Sequence, residues 1–201
     1  MNDRRKSYVK KRGLEVMKLT RRPLVLSSKS VYQGRIVQLR VDRVEEPGGV
    51  VAKREVVDHA GSVVVLPILP DGRVLLVQQY RHAVRRSLWE LVAGGIEKGE
   101  TPRRAAAREL REETGYRAGT LKALFDFYPS PGVMSERMFL VEARGLCPAP
   151  SSPEPDEVIS VGSFSLPQLR TMIRQNKIKD GKTLVGLLWH FGRKKSWAQP
   201  A

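Results

Sequence analysis

One stretch constrains this chain more than any other. It opens as a loop, Gly94-Gly95-Ile96-Glu97-Lys98-Gly99-Glu100, and continues as Thr101-Pro102-Arg103-Arg104-Ala105-Ala106-Ala107-Arg108-Glu109-Leu110-Arg111-Glu112-Glu113-Thr114-Gly115-Tyr116. The glycines leave backbone open to close approach. The Thr101 hydroxyl can cap a helix, Pro102 suits the first helical position because its missing N–H would have no partner there, and Gly115 offers a left-handed exit. A helix is predicted over Pro102–Thr114.

At about 100° per residue, Arg108, Glu109, Glu112 and Glu113 fall within one arc of about 140°, while Ala107, Leu110 and Thr114 turn the other way. The pattern works against the helix. Glu109 and Glu113 are like charges one turn apart, and Glu112 and Glu113 sit at the negative end of the macrodipole, each effect costing a few tenths to about 1 kcal/mol. Positive charge is therefore expected nearby. Either Arg104, Arg108 and Arg111 neutralise a solvated face, or the carboxylates hold hard divalent cations that keep open positions for water and phosphate oxygens.

The full spacing decides between them. Gly94, five residues, Glu100, seven residues, Arg108-Glu109-Leu110, one residue, Glu112-Glu113, one residue and Gly115-Tyr116 together resemble the Nudix box of pyrophosphohydrolases that act on nucleoside diphosphates linked to another group. The resemblance implies a loop–helix–loop that binds the metals of a diphosphate-cleaving site, Mg²⁺ first and Mn²⁺ as an alternative. It implies Glu109 and Glu113 as metal ligands, Glu112 as a further ligand or water-orienting group, and an Arg108–Glu100 ion pair that holds loop and helix together.

Composition sets outer bounds. A chain of 201 residues suits one domain plus an extension. The single cysteine, Cys147, cannot form an internal disulfide, and no Cys/His cluster has zinc spacing. No apolar run approaches the roughly 20 residues that span a bilayer, and no signal-peptide core follows the basic start, so a cytoplasmic protein without a membrane partner is expected. The net charge of +15 invites a nucleic-acid reading until it is located. Residues 1–22 hold nine Lys/Arg against Asp3 and Glu15, and Arg193, Lys194 and Lys195 follow the last predicted helix, so the ends carry +10 of the total. Such end blocks are commonly solvated tails, here 1–22 and 193–201, which argues against a nucleic-acid partner.

Along the chain, Val31–Val44 alternates as a strand, Glu46-Pro47-Gly48-Gly49 turns, and Val50–Val57 returns, which predicts a β-hairpin. Ser62–Leu69 is aliphatic throughout and reads as a strand buried on both faces, with Arg73–Tyr80 as its partner across Pro70-Asp71-Gly72. Leu88–Ala93 leads into the box. Leu121–Phe127, Met138–Ala143 and Val158–Phe164 are further strands, and Pro148–Asp156 is a proline-rich connection. Ser165 and Gln168 form a capping box for a helix over Leu166–Asn176, and Asp180 caps a last helix over about Lys182–Phe191. Strands alternating with helices imply helices on both faces of a mixed sheet. By resemblance this is an α/β Nudix fold, an α/β/α sandwich with a mixed sheet over 59–192. A small amino-terminal β-hairpin extension, 23–58, precedes it.

Arg54-Glu55-Val56-Val57, Gln79-Tyr80-Arg81, Leu88-Trp89-Glu90-Leu91-Val92-Ala93-Gly94 and Ser130-Pro131-Gly132 with Glu136 resemble the ADP-ribose pyrophosphatase branch. Pro131, sixteen residues past Gly115, stands where that branch carries a proline. The branch implies a homodimer paired through the amino-terminal extension, a nucleotide-sugar substrate, and Arg54 reaching substrate from the extension. The residues admit compatible roles. The Ala93 carbonyl can ligate a metal because no helix or strand need claim it. Gly94 and Gly95 give room for a diphosphate, and the Arg81 fork can clamp phosphate or ribose. Glu90 holds ribose or pairs with Arg81. Trp89 reads as core, and Tyr32 and Tyr80 are candidates for stacking on a base. Glu136, on a mobile-looking loop, is the expected general base, with Glu112 the alternative. His59, His82 and His190 show no pairing that would recommend them. Val92 where many members have proline, and the bulky Val133-Met134, leave the sugar open. GDP-mannose, a nucleoside triphosphate, or a non-catalytic ADP-ribose- or RNA-binding module are the alternatives.

Overall fold

The structure is a computed structural model and describes residues 22–150 and 158–194. Most of both basic ends and most of the Pro148–Asp156 connection lie outside the described residues.

The amino-terminal extension is larger than a hairpin. β1 (Leu24–Gln33), β2 (Gln38–Glu45) and β3 (Val51–Asp58) form an antiparallel sheet in the order β1-β2-β3. A tight turn over Gly34–Val37, closed by the Gly34 N–H donating to the Val37 carbonyl (2.9 Å), breaks the single strand expected over Val31–Val44.

β4 (Ser62–Pro67) is buried at all six positions. Its alternation serves two cores: Val63 and Val65 join one cluster, Val64 and Leu66 the other. Fully burying an aliphatic side chain contributes about 1.5–3 kcal/mol against extended-chain exposure, an upper bound, so this strand anchors the domain. β5 (Val74–Arg81) follows the Asp71-Gly72 turn but is not the pairing partner expected for β4; an isolated bridge, Ile68↔Val74, joins the two segments. β5 instead pairs with β6 (Arg86–Glu90) and β10 (Ile159–Phe164), in the order β10-β5-β6. β7 (Val92–Gly95), β8 (Tyr116–Phe127) and β9 (Met138–Pro148) complete a four-stranded sheet in the order β7-β4-β9-β8. β4 and β9 run parallel and the other pairs antiparallel, so the sheet is mixed.

Helices cover both faces. α1 (Pro102–Thr114) packs Ala105, Ala106 and Leu110 into the first core, with Ala107 exposed rather than turned inward. α2 (Leu166–Arg174) and α3 (Gly181–Lys194) close the second core through Leu169 and Leu187. The caps explain where the helices start and stop. The Arg104 N–H donates to Thr101 Oγ1 (3.3 Å), and Gly115 ends α1 at φ 69°. Ser165 and Gln168 form the capping box of α2. Asp180 Oδ2 accepts from the N–H of Thr183 (3.0 Å) at the start of α3.

Candidate active site

The box helix carries its carboxylates to one wall of a cavity of about 590 Å³. Glu109 and Glu112 come from α1, Ala93, Gly94 and Gly95 from β7, and Ser62 and Glu136 from the junction of β4 with the loop before β9. Arg81 and Lys182 bring positive charge to the same cavity, and Arg35 and Ile36 reach it from the β1–β2 turn.

Gly94 lies directly against the Glu109 carboxylate. A Cβ there would lie 2.0 Å from Glu109 Oε1, so the glycine makes the space in which that carboxylate sits. Ala93 lies inside β7, paired with Val64, contrary to the expectation that no strand claims it. Its position on an edge strand resolves the conflict. The Ile96 N–H donates to the Gly61 carbonyl (3.1 Å), so in this antiparallel ladder Gly94 and Val92 face β4 while Gly95 and Ala93 face outward. The Gly95 carbonyl shows the result, accepting from Arg108 Nη2 at 2.9 Å.

Arg108 is the hub of the box. It donates to Glu100 (3.2 and 3.0 Å), to Glu109 Oε1 (2.6 Å) and to Glu112 Oε2 (3.2 Å). Hydrogen bonding to Glu100, then Glu109, raises its guanidinium pKa further above the ordinary value, and the same contact holds the Glu100 carboxyl below its own. The positive charge demanded by the crowded glutamates is thus supplied by Arg108, with Arg111 at 3.4 Å from Glu112. Glu113, 7% exposed, lies behind the wall; the Arg81 pKa is raised first by its hydrogen bonds to Glu90 and to a lesser extent by the charge of Glu113. Among the described residues, no three His, Cys, Asp or Glu side chains already converge on one point. The carboxylates of Glu109, Glu112 and Glu136 nonetheless bring oxygen donors to the cavity, which suits a hard dication.

Arg81 lines the cavity, and the buried Glu90 backs it. Glu90 is 1% exposed and takes a fork from Arg81 (Nε to Oε1 2.9 Å, Nη2 to Oε2 2.8 Å) as well as a hydrogen bond from Lys182. Burial pushes the Glu90 carboxyl up, but Arg81 and Lys182 outweigh it and hold its pKa below the usual range. Of the two roles open to Glu90, the structure shows the pairing with Arg81.

Glu136 does not sit on a loose loop. The Val57 N–H donates to the Val133 carbonyl (2.8 Å) and the Ser135 N–H to the Val57 carbonyl (2.9 Å), continuing the parallel β4–β9 pairing back to the end of β3. The carboxylate is 9% exposed and accepts from the Ser62 hydroxyl. His59, passed over in the sequence, also lines the cavity; its Nδ1 accepts from the Gly61 N–H (3.1 Å) and lies 3.6 Å from Glu136 Oε1.

The remaining expected residues lie elsewhere. Arg54, half exposed on β3, pairs with Glu46 and does not line its own chain's cavity. Pro131 is exposed at the loop tip. Tyr32 and Tyr80 are more than half exposed and outside the cavity lining, and Trp89 packs edge-on against Phe164 at 4.9 Å, a core position. Lys182, Ser62 and Arg35 carry no sequence signal of their own. A capped helix start at Asp180 was legible, and its next turn was the place to look for Lys182.

A NUDIX domain model matches residues 58–184, and a nucleoside diphosphate sugar hydrolase N-terminal domain model matches residues 24–57. The chain belongs to the Nudix hydrolase family. Among curated relatives, it is 37% identical over 164 residues to a methanol dehydrogenase activator of Bacillus methanolicus, covering 81% of this chain and 89% of that one. It is 35% identical over the same length, with the same coverage, to an ADP-ribose pyrophosphatase of Bacillus subtilis. A solved structure titled as an ADP compounds hydrolase superposes with a TM-score of 0.78 at 22% identity, over 90% of this chain and 98% of that chain, a likeness of fold.

Proposed function

We propose that the protein hydrolyses the diphosphate bond of a nucleoside diphosphate sugar, with ADP-ribose and water giving AMP and ribose 5-phosphate. One observation carries the reading: the carboxylates of Glu109, Glu112 and Glu136 and the guanidinium of Arg81 line a single cavity of about 590 Å³, oxygen donors for a cation beside a donor group for phosphate. The relative named as an ADP-ribose pyrophosphatase supports the choice of substrate.

Nudix hydrolases generally use divalent metals. The Ala93 carbonyl and Glu109, which line the cavity, would hold Mg²⁺, or Mn²⁺ in its place, with Glu112 beside them; Glu113, buried behind that wall, would have to turn toward the cavity to join them. Bound metal would acidify water and neutralise phosphate charge. The chain's own groups do the rest. Arg81, its fork fixed by Glu90, binds a phosphate oxygen pair. Gly94 and Gly95 let the diphosphate approach the β7 backbone. Glu136 takes the proton of the attacking water, and Arg108 keeps the box helix fastened to its loop through Glu100 and the Gly95 carbonyl.

The apolar residues left exposed on β1, Leu24, Val25, Leu26, Val31 and Tyr32, support a homodimer formed through the 23–58 extension. Arg54 and Pro131 then act at the partner's side of the site. The 1–22 and 193–201 ends serve as tails, and nucleic acid is not a partner. Among the described residues no helix is long and apolar enough to cross a membrane, and we place the enzyme in the cytoplasm.

Phosphate release from ADP-ribose, GDP-mannose and nucleoside triphosphates, each after phosphatase treatment of the products and each with and without Mg²⁺, tests the proposal. Mg²⁺-dependent turnover highest with ADP-ribose is expected. A preference for triphosphates, or no turnover of any diphosphate sugar, would overturn it.

A further inference from the structure

The start of α3 grips two consecutive residues of the segment that leads into the cavity. Lys182 Nζ hydrogen-bonds the buried Glu90 carboxylate and also Asp180 Oδ1 (3.0 Å). The next residue, Thr183, accepts from the Leu91 N–H through Oγ1 (2.7 Å) and donates that hydroxyl to Asp180 Oδ2 (2.6 Å). Glu90 ends β6 and Leu91 links it to β7, Leu91 standing one residue before Val92 and two before Ala93. The helix start therefore fixes both the Glu90 side chain and the backbone that delivers Ala93 and Gly94.

Glu90 in turn orients Arg81. Its two oxygens take Nε and Nη2 of the guanidinium, and Nη1 has no part in that fork. A carboxylate 1% exposed needs its charge compensated, and Arg81, with a side chain 39% exposed toward the cavity, is one of its two cations. Lys182 is the other, with a side chain 10% exposed. The charges alternate along a chain, Arg81, Glu90, Lys182, Asp180, that ends on the cap of α3.

We propose that Lys182 is a positioning residue, acting through Glu90 to hold the Arg81 fork in the orientation that receives phosphate; this rests on the diphosphate reading of the cavity. With Lys182 neutral, Glu90 is half compensated and draws the guanidinium inward, away from the ligand.

The full chain is compared with Lys182→Met, Lys182→Arg, Glu90→Gln and the E90Q/K182M double variant. Steady-state kinetics with ADP-ribose and Mg²⁺, binding of inorganic pyrophosphate by calorimetry, and thermal melting are the readouts. K182M should raise KM about tenfold with kcat within about threefold, K182R should restore most of the loss, and K182M should have no further effect on KM in the E90Q background. Should K182M fail to fold around a half-compensated Glu90, the comparison of E90Q with E90Q/K182M, in which no carboxylate is left buried at position 90, carries the test.

An unchanged KM in K182M, or equal losses in the wild-type and E90Q backgrounds, would overturn the proposal, the second outcome placing the ammonium on the substrate itself. Pyrophosphate binding separates the two readings. A protein that binds pyrophosphate in a Lys182-dependent way but cleaves no nucleotide sugar loses the substrate assignment and keeps the Lys182 role. One that cleaves ADP-ribose with a Lys182-independent KM does the reverse, and one that does neither loses both.

Discussion

The box and the amino-terminal sheet are built by opposite rules. In the box nearly every polar group is committed: Arg108 spans three glutamates and a backbone carbonyl, and Gly94 leaves no room for a methyl group beside Glu109. In the sheet β1 is exposed at all ten positions, with Val25 at 56% and Val31 at 56%. Local interactions over-determine the first region, while the second leaves apolar side chains exposed. The sheet reaches the cavity that the box lines through Val57, where the end of β3 hydrogen-bonds the loop that carries Glu136. A disturbance of the open region can therefore reach the closed one through backbone pairing.

The comparison breaks most readily at Glu136. Glu136→Gln keeps the acceptor for Ser62 and should lower kcat by about 10²–10⁴-fold, with the melting temperature nearly unchanged; a melting shift as large as that of a core truncation would make the residue structural. Next comes Gly94→Ala. The added Cβ must displace the Glu109 carboxylate, and a loss of activity of roughly 10- to 100-fold is expected, accompanied by weaker divalent-ion binding. Unchanged turnover in this variant would separate Glu109 from the chemistry.

The open region should respond differently. Replacing Leu26 and Val31 with Arg and Glu places charge on the exposed strand, and analytical ultracentrifugation should show a lower molar mass, with kcat/KM reduced severalfold. The same mass for both proteins would remove the dimer from the account. The smallest effect concerns acid stability. Glu100 and Glu90 have folded pKa values below their unfolded ones, so the unfolded chain binds their protons first as pH falls. The stability they contribute is fully present above the unfolded value of about 4.3 and is lost as pH drops through the folded values. Glu100→Gln should flatten the slope of melting temperature against pH below about 4.5 and leave neutral stability little changed.

What the residues announced in advance follows from range. α1 was legible to its bounds because Thr101, Pro102 and Gly115 act within a turn of where they stand, and the same is true of the Ser165–Gln168 box and the Asp180 cap. β4 was legible because burial on both faces leaves an unbroken aliphatic run. The partner of β5 was not. Asp71-Gly72 marks a turn equally well whether the following strand pairs back or crosses to a second sheet, and of its actual neighbours, β6 and β10, the latter lies some eighty residues on. β1 was missed because its exposed positions give no two-residue alternation, and the Gly34 turn interrupted a pattern that read as continuous. In the site, Glu109, Glu112, Arg108, Arg81, Ala93, Gly94, Gly95 and Glu136 share one cavity, while Glu90 and Glu113 are buried behind it and Arg54 and Pro131 fall outside that of their own chain. His59, Ser62 and Lys182 needed the fold, since each is placed by pairing across long sequence separations.

Calorimetric titration of Mn²⁺ into the wild type and Glu109→Gln, with AMP release from ADP-ribose measured on the same samples, addresses the claim that the box carboxylates gather divalent ions to cut a phosphoanhydride. Binding to the wild type, weakened about 10- to 100-fold by the substitution and lost in step with AMP release, is the expected result. Equal Mn²⁺ affinity in the two proteins, or AMP release that persists in the presence of a chelator, would contradict it.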